Sequence, residues 1–307
     1  MNNNLGSSRQ GALTAPEEPR RAKRALWNRL ARIAKSKPLG TAAASIILGL
    51  VLMAIFDGFL APYDPTQISA QARLAPPSSQ HLMGGDHLGR DILSNIIRGA
   101  RLSLFVGIVS VAIGTVTGCI IGTVSAYFGG KVDFTAQRFV DTLLAFPSLV
   151  LTIAIVTFLG ANVINVVIAI GITSVAGTSR VIRGSVLSVK ENKYVEAARA
   201  SGCSDLRIMA LHVMPNVMAP IVILASIALG SAVLAESSLS FLGLGVPPPV
   251  VSWGRMLGGA SIRYMTVAPW VLIFPGLAIT IVVLAFNLLG DTVRDVFDPR
   301  LRGAGRL

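Results

Sequence analysis

A polar segment at residues 196–215, flanked by long apolar segments, has residue types and spacing that favour a specific interaction. Residues 186–201 are good helix formers, and Gly202 can adopt the left-handed conformation that ends a helix. Residues 205–212 predict a second helix, which Pro215 breaks. The polar groups around the predicted turn are Glu196, Arg199, Ser201 and Asp205. Such a helix–turn–helix suits docking in a groove of a soluble partner and transmission of a rigid-body shift. An ordinary amphipathic loop is the alternative.

A second polar cluster contains His81, His87, Asp86 and Asp91, which raises the question of a metal site. The spacing of its histidines and aspartates fits neither a zinc site nor a calcium loop, so we expect no metal. We favour a structural role, in which Asp86 or Asp91 caps a short helix that begins near Arg90. That helix would present an apolar edge, formed by Ile92, Ile96 and Ile97, to the outer membrane face or to a docked partner.

The sequence contains no recognisable residue set for ATP hydrolysis. The nearest phosphate-loop candidate is Gly129-Gly130-Lys131. Val132 follows it where the motif has Ser or Thr, and Ser125 stands where the first glycine should be. We therefore expect this chain to bind no cofactor and to use no ATP itself.

The elements that must position these segments are apolar helices. Hydrophobic residues make up 52% of the chain, charged residues only 14%, and the mean hydropathy is +0.67. A helix needs about 20 residues to cross a ~30 Å hydrocarbon layer. The apolar runs are continuous and lack the alternation of barrel strands, which favours helices. Six runs qualify, at residues 39–60, 102–126, 139–160, 162–180, 217–243 and 268–289.

The distribution of basic residues predicts the orientation of these spans. With the N-terminus inside, 21 of the 27 Lys and Arg residues lie in cytoplasmic segments. The opposite side receives Arg73, Arg90, Arg98, Arg101, Arg255 and Arg263. Both termini and residues 196–215 are then cytoplasmic, and the net charge of +12 mostly reflects topology. We expect no nucleic-acid binding, because the basic N-terminal residues run directly into the first span.

This pattern divides the chain into successive regions. Residues 1–38 form a basic, partly disordered cytoplasmic tail, and 39–60 form the first span, which is too long for a cleaved signal core. An extracytoplasmic segment occupies residues 61–101. The remaining regions are a five-helix core at 102–290, which includes a cytoplasmic segment at 186–216, and a cytoplasmic tail at 291–307. The cysteines, Cys119 and Cys203, predict no disulfide.

Small residues recur at every fourth position of the second span, notably Gly114, Gly118 and Gly122. Such a stripe permits close contact between helix backbones in lipid. The contact could lie within this subunit or between subunits, and the sequence leaves both open. Pro147, Pro220 and Pro275 predict bends in three other spans.

Ionisable residues at membrane depth are candidate functional residues. Glu236 lies about twenty residues into the fifth predicted span. It could line a pathway, or it could form an ion pair with Arg255 or Arg263 of the following loop. Asp57 and Asp141 lie near span ends and are expected to reach the membrane interface.

The 196–215 segment resembles a pattern found in the membrane subunits of prokaryotic ABC importers. That pattern is Glu-Ala-Ala, three residues, Gly, nine residues and a hydrophobic triplet ending in Pro. The matching residues are Glu196, Ala197, Ala198, Gly202 and Pro215. His212 and Met214 depart from it, since aliphatic residues are more usual at these positions.

The 81–91 segment resembles a signature of the permeases of the dipeptide, oligopeptide and nickel importer group, specifically the second membrane subunit. Its matching residues are Gly84, Asp86, Gly89, Arg90 and Asp91. The likeness extends through residues 99–104, 235–245 and 252–254, and it covers most of residues 60–300.

This resemblance implies an all-α integral membrane protein of the bacterial inner membrane with a type I ABC importer-like transmembrane domain of six helices and cytoplasmic termini. Its implied partners are the lipid bilayer, a homologous permease, two ABC ATPases that bind ATP and Mg, and an extracytoplasmic substrate-binding protein. The implied function is import of dipeptides, oligopeptides or peptide-like solutes. The residues implied in ATPase coupling are Glu196, Ala197, Ala198, Arg199, Ser201, Gly202, Asp205 and Pro215. Glu236 and Trp253 are candidates for the pathway or a gate. A nickel or other small-solute importer, an autonomous secondary transporter and a membrane scaffold remain alternatives.

Overall fold

The structure is a computed structural model that describes residues 37–297, so most of the predicted N-terminal tail and residues 298–307 lie outside the described residues. The described part is helical, with one isolated bridge between Gly85 and Asp91. The α-helices are α1 (Pro38–Ile55), α2 (Asp57–Leu60), α3 (Ile92–Phe128), α4 (Gly130–Leu144), α5 (Ser148–Leu159), α6 (Val163–Lys190), α7 (Lys193–Ala200), α8 (Asp205–Ile208), α9 (Met214–Phe241), α10 (Trp253–Leu257) and α11 (Trp270–Phe297). A π-helical turn at Met209–Val213 joins α8 to α9, and 3₁₀ turns occupy Ala70–Ala72 and Gly259–Tyr264.

Five helical segments of the described residues are long and apolar enough to cross a membrane, and a sixth crossing results if α4 and α5 count as one broken span. These two helices meet at 91°, so the chain within the predicted span at 139–160 is divided into two helices at the bend that Pro147 predicts. Pro147 precedes α5 directly; it lacks an N–H group and disfavours the helical conformation at the residue before it. With 12 residues, α5 is only about 18 Å long.

The long helix α3 begins ten residues before the predicted start of the second apolar run and extends for 37 residues. No separate short helix follows Arg90, because Ile92 continues without interruption into the membrane helix. The proposed apolar edge of Ile92, Ile96 and Ile97 is buried against the protein instead of facing a membrane or a docked partner. These isoleucines therefore anchor the outer end of α3 in the core.

The glycine stripe of α3 packs against α6 of the same chain. A Cβ atom on Gly118 would lie 2.8 Å from the carbonyl oxygen of Val175, and one on Gly122 would lie 2.5 Å from that of Ser179. Gly114 approaches the backbone of Gly171 in the same way, at 2.9 Å. The structure thus uses the stripe for packing within the subunit.

The described part of the chain departs from two further predictions in the segment 186–216. Residues 186–201 do not form one helix, because α6 ends at Lys190 and α7 begins at Lys193. Pro215 does not break the second helix but lies at the second position of α9, directly after the π-helical turn. Residues 205–241 continue as one helical segment, and the wider π-helical turn before Pro215 accommodates the ring.

The carboxylates near the span ends are tied to arginines. Asp57 is buried and lies 2.8 Å from Arg98. Asp141 is partly exposed and lies 2.5 Å from Arg180 of α6. Arg183, also on α6, donates two hydrogen bonds to Asp133 at 2.6 and 2.7 Å. These pairs hold α4 along the end of α6 that leads into α7.

Candidate functional site

The turn at Gly202 has the geometry of a Schellman motif. Gly202 adopts φ +79°, as its predicted role at the end of a helix requires. Its N–H group donates to the carbonyl oxygen of Arg199 at 3.0 Å, and the N–H group of Cys203 donates to that of Ala198 at 3.1 Å. This pattern satisfies the last carbonyl groups of α7 and redirects the chain into α8. The turn is therefore a compact element of defined shape.

The two faces of this element differ in burial. Val195, Ala198, Ile208 and Met209 are buried in one hydrophobic cluster with the ends of α3 and α6. The polar residues singled out from the sequence face solvent: Glu196, Arg199, Ser201 and Asp205. Ala197, Gly202 and Pro215 are exposed as well. The apolar face fixes the element to the bundle, and the polar face remains available to a partner.

Tyr127, at the end of α3, connects α7, the Gly202 turn and α8, together called the coupling element, to the membrane bundle. Its hydroxyl group donates to Asp205 Oδ1 at 2.6 Å and accepts from Arg199 Nη2 at 3.4 Å. The Arg199 guanidinium also lies 5.7 Å from the centre of the Tyr127 ring. Lys190 Nζ donates to the carbonyl oxygen of Ala126 at 2.9 Å. A displacement of the turn would therefore move the end of α3.

Sequence reasoning missed Tyr127 and Lys190. Tyr127 directly follows the predicted span 102–126, where aromatic residues are common as interfacial anchors, and Lys190 is one of several basic residues in the segment predicted as cytoplasmic, so neither residue type was informative. Their contacts join residues far apart in the chain, Tyr127 with Asp205 across 78 residues and Lys190 with Ala126 across 64, which only the fold brings together.

On the opposite face, the 81–91 segment is a tight loop built around glycines. Gly84 and Gly89 have φ values of +80° and +79°. A Cβ atom on Gly85 would lie 1.7 Å from the carbonyl oxygen of Ala72, and one on Gly89 would lie 2.0 Å from that of Ser69. Asp86 Oδ1 accepts from the backbone N–H groups of Leu88 and Arg90 at 2.7 and 2.8 Å, which closes the loop.

Asp91 is the residue that caps α3, one of the two carboxylates that the sequence offers for this role. Its Oδ2 atom accepts from the N–H and hydroxyl groups of Ser94 at 2.8 and 2.7 Å. Its Oδ1 atom lies 2.9 Å from His81 Nδ1. The buried carboxylate therefore joins the start of the signature to the start of the long helix.

Asp91→Ala is expected to destabilise the protein by about 1–2 kcal/mol, because it removes an N-cap and leaves His81 and Ser94 without their acceptor. Thermal unfolding of the purified protein measures this loss. Asp64→Ala serves as the control, since Asp64 accepts from the N–H and hydroxyl groups of Thr66 in an exposed turn. Equal melting temperatures for the two variants would contradict a capping role for Asp91.

Glu236 is completely buried in α9 and forms no ion pair with any described residue, so the predicted pairing with Arg255 or Arg263 is wrong. Its Oε1 atom accepts from the hydroxyl groups of Ser240 and Ser252, both at 2.7 Å. Its Oε2 atom has no hydrogen-bond partner. The carboxyl group thus links α9 to the residue that precedes α10.

Glu236→Gln is expected to change the stability by less than about 1 kcal/mol, because the amide oxygen can accept from the same two hydroxyl groups and no counter-ion loses its partner. Thermal unfolding checks this, with Ser252→Ala as a companion variant that removes one donor. A loss above about 3 kcal/mol, the cost of breaking a buried ion pair, would reveal an ionic partner for Glu236.

Trp253, the second pathway or gate candidate, lies in the core. Its side chain is buried, and its indole Nε1–H donates to the carbonyl oxygen of Ile96 at 2.9 Å. The ring packs on Gly99, where a Cβ atom would lie 2.6 Å from the indole. In this conformation Trp253 joins α10 to α3.

Comparison with known proteins gives consistent matches over most of the chain. Residues 114–303 match the family described as the inner membrane component of binding-protein-dependent transport systems. Residues 25–77 match the N-terminal transmembrane domain of oligopeptide transport permease C.

Two curated relatives are glutathione transport system permease proteins GsiD. The protein from Pectobacterium atrosepticum is 41% identical over 280 residues, which cover 91% of each chain. The protein from Escherichia coli O6:K15:H31 is 40% identical over 301 residues, which cover 96% of this chain and 98% of the relative. Among solved structures, a chain of the MetNI methionine ABC transporter in an inward-facing conformation aligns with a TM-score of 0.53 and 21% identity, over 66% of this chain and 96% of that chain. The likeness to the methionine transporter chain concerns the fold alone.

Proposed function

Because the chain belongs to the family of inner membrane components of binding-protein-dependent transport systems, we propose that it forms, with a homologous permease subunit, the pathway by which peptide-like solutes enter the cell. The chain is a multi-pass inner-membrane permease subunit of an ABC importer. The observation that carries the mechanism is the exposed Schellman turn at Gly202, joined to α3 through Tyr127.

In this proposal the coupling element lies in a groove of an ATPase subunit. Two ATPase subunits bind ATP and Mg, and an external binding protein delivers the solute. Exposed charges at Glu196 and Arg199 support docking, and the buried face beneath them supports rigid transmission. Differential binding of ATP and ADP by the ATPases would bias the inward-open to outward-open equilibrium through this contact.

The proposed orientation has six crossings with cytoplasmic termini, the 186–216 segment inside and the 61–91 segment outside. The excess of basic residues on the proposed cytoplasmic side supports it. The third crossing is then α5, which the residues at 145–147 and 160–162 extend, with amphipathic α4 along the cytoplasmic surface. Its exposed Phe134 and Phe139 suit the lipid boundary, while Arg183 holds it against α6.

Glutathione, which the names of the relatives contain, is a tripeptide-like solute with two carboxylates, and it is our first candidate substrate. We do not assign Glu236 or Trp253 to the pathway, because both are buried in contacts within the subunit. The external binding protein makes most of the choice of solute in importers of this kind.

The proposal is tested by purification of the chain in mild detergent from its native host, with identification of the proteins that accompany it. We expect a second permease and two P-loop ATPases, and ATP-dependent uptake of glutathione when these are reconstituted with the binding protein. Recovery of this chain alone, with solute flux that needs no ATP, would identify a secondary transporter instead. Absence of flux from the complete assembly with every peptide offered would indicate a scaffold.

A further inference from the structure

A cavity of about 300 Å³ lies beside the 81–91 segment, on the face opposite the coupling element. The loop around Asp86 and Arg90, the end of α9, and the segment from Val251 through Ser261 enclose it. This volume lies at the lower end of the range of small-molecule sites, ~300–1,000 Å³. Most of the lining surface is apolar, with a few convergent polar groups, which is typical of sites that fix the orientation of a ligand.

Two arginines line this cavity, and neither forms an ion pair with a described residue. Arg90 is half-buried, and its Nε atom is buried without a hydrogen-bond partner. Arg255 is half-buried, and the structure gives it one hydrogen bond, from Nη1 to the carbonyl oxygen of Val246 at 3.2 Å. Burial lowers the pKa of Arg255, and the nearby positive charge of Arg90 lowers it further. Two guanidinium groups thus share a confined space.

The other four arginines predicted on this face have different environments. Arg98 and Arg101 lie 2.8 and 3.9 Å from Asp57, which neutralises part of their charge. Arg73 and Arg263 are exposed to solvent. Only the cavity arginines combine partial burial with the absence of a described acidic partner, and such burial is costly unless an anion compensates it.

The remaining polar lining leaves the cavity with an excess of positive charge. Asp86 is its one carboxylate, and that carboxylate is already held by two backbone N–H groups through Oδ1. His87 Nδ1 lies 3.4 Å from the Ser261 hydroxyl group. Ser252 also lines the cavity but directs its hydroxyl proton to Glu236. The lining therefore offers two guanidinium donors to a single anionic group.

We propose that this cavity is an outer-face subsite that binds the carboxylate of a peptide-like solute through Arg90 and Arg255. The inference rests on the proposed function for the chemical class of the solute. A guanidinium fork matches a carboxylate and forms charge-assisted hydrogen bonds with it. The apolar walls contributed by Leu88, Met256 and Val271 suit the carbon skeleton of a small peptide. The subsite would hold a solute directly, independently of the external binding protein.

The test is equilibrium binding of labelled glutathione to the assembled transporter, with both permeases and both ATPases but without the binding protein. Glutathione diethyl ester, in which both carboxylates are blocked, and inorganic phosphate serve as competitors. We expect the ester and phosphate to compete at least about tenfold more weakly than unlabelled glutathione. Arg90→Gln and Arg255→Gln should each weaken glutathione binding by about tenfold or more, and Arg263→Gln, an exposed arginine of the same face, should not.

Each alternative result overturns the subsite. Equal competition by phosphate would indicate an unselective anion site. Equal competition by the ester would show that the carboxylates of glutathione do not contribute to binding. Unchanged glutathione binding in both glutamine variants would exclude these arginines. The binding measurement needs neither ATP nor uptake. If the subsite proposal is wrong, the unmodified transporter still shows ATP-dependent uptake. If the proposed function is wrong, it shows no such uptake.

Discussion

Gly202→Val is expected to reduce ATP-driven uptake at least about tenfold while leaving the subunit folded in the membrane. The left-handed conformation at φ +79° costs a residue with a Cβ atom about 1–2 kcal/mol, and a β-branched residue is the least tolerant. No atom lies within 4 Å of the position that a Cβ atom would take at Gly202, so the side chain itself meets no obstacle. The effect is therefore confined to the shape of the turn.

That shape is what an ATPase groove would recognise. Relaxation of the turn would break the hydrogen bonds of Gly202 to Arg199 and of Cys203 to Ala198, and the end of α7 would lose its fixed relation to α8. A penalty of about 1.4 kcal/mol on docking weakens the contact tenfold. We expect loss of at least about tenfold in ATPase retention and in solute uptake, measured by co-purification and by reconstituted transport. Glu196→Lys should produce the same loss by reversing an exposed charge without straining the backbone.

Gly243→Val is the matched control for ATPase retention. Gly243 ends α9 in the same motif, with φ +80°, and it too has no atom within 4 Å of a Cβ position. Its N–H group donates to Ser240 and that of Leu244 donates to Leu239, as in the coupling turn. Both variants should lose similar thermal stability, but only Gly202→Val should release the ATPases. If the two variants retain ATPases equally, the coupling role of the Gly202 turn is wrong.

The turn was predictable because its determinants are local. A glycine after a run of good helix formers specifies a left-handed helix end, and the structure contains that end at Gly202. The capping carboxylate at Asp91 was predictable for the same reason, since an acceptor three residues before a free N–H group needs no distant partner. The membrane crossings followed from apolar runs, whose length sets a physical minimum.

The unpredicted features depend on contacts between distant residues. An ion pair with an arginine was one of the two roles considered for Glu236, but two serine hydroxyl groups donate hydrogen bonds to it instead. One of them, from Ser252, belongs to the segment after α9. Pro147 predicted a bend, but its magnitude of 91° depends on the pairs that hold α4 against α6. Burial of the isoleucines at the start of α3 likewise depends on the helices that cover them. Hydropathy identifies such elements but leaves their partners undetermined.

A close backbone contact between α3 and α6 yields the second large prediction. Gly122→Val is expected to destabilise the subunit by about 3 kcal/mol or more, because even its Cβ atom would lie 2.5 Å from the Ser179 carbonyl oxygen and 3.1 Å from the Arg183 nitrogen. Both obstacles are backbone atoms of α6, so no rotation of a side chain can relieve them. The helices must separate, and the dispersion contacts along the stripe weaken with them.

Separation of α3 from α6 at this level would also disturb the coupling element, since Arg183 holds α4 and Tyr127 lies five residues beyond Gly122 on α3. Thermal unfolding of the purified protein should show a melting temperature lower by roughly 6–12 °C, at about 2–4 °C per kcal/mol. Gly49→Val in α1 is the control, because it introduces the same residue into a membrane helix with no atom within 4 Å of the Cβ position. If Gly122→Val has the same melting temperature as Gly49→Val, the α3–α6 contact is looser than the structure describes. Coupling through α3 would then lose its mechanical basis.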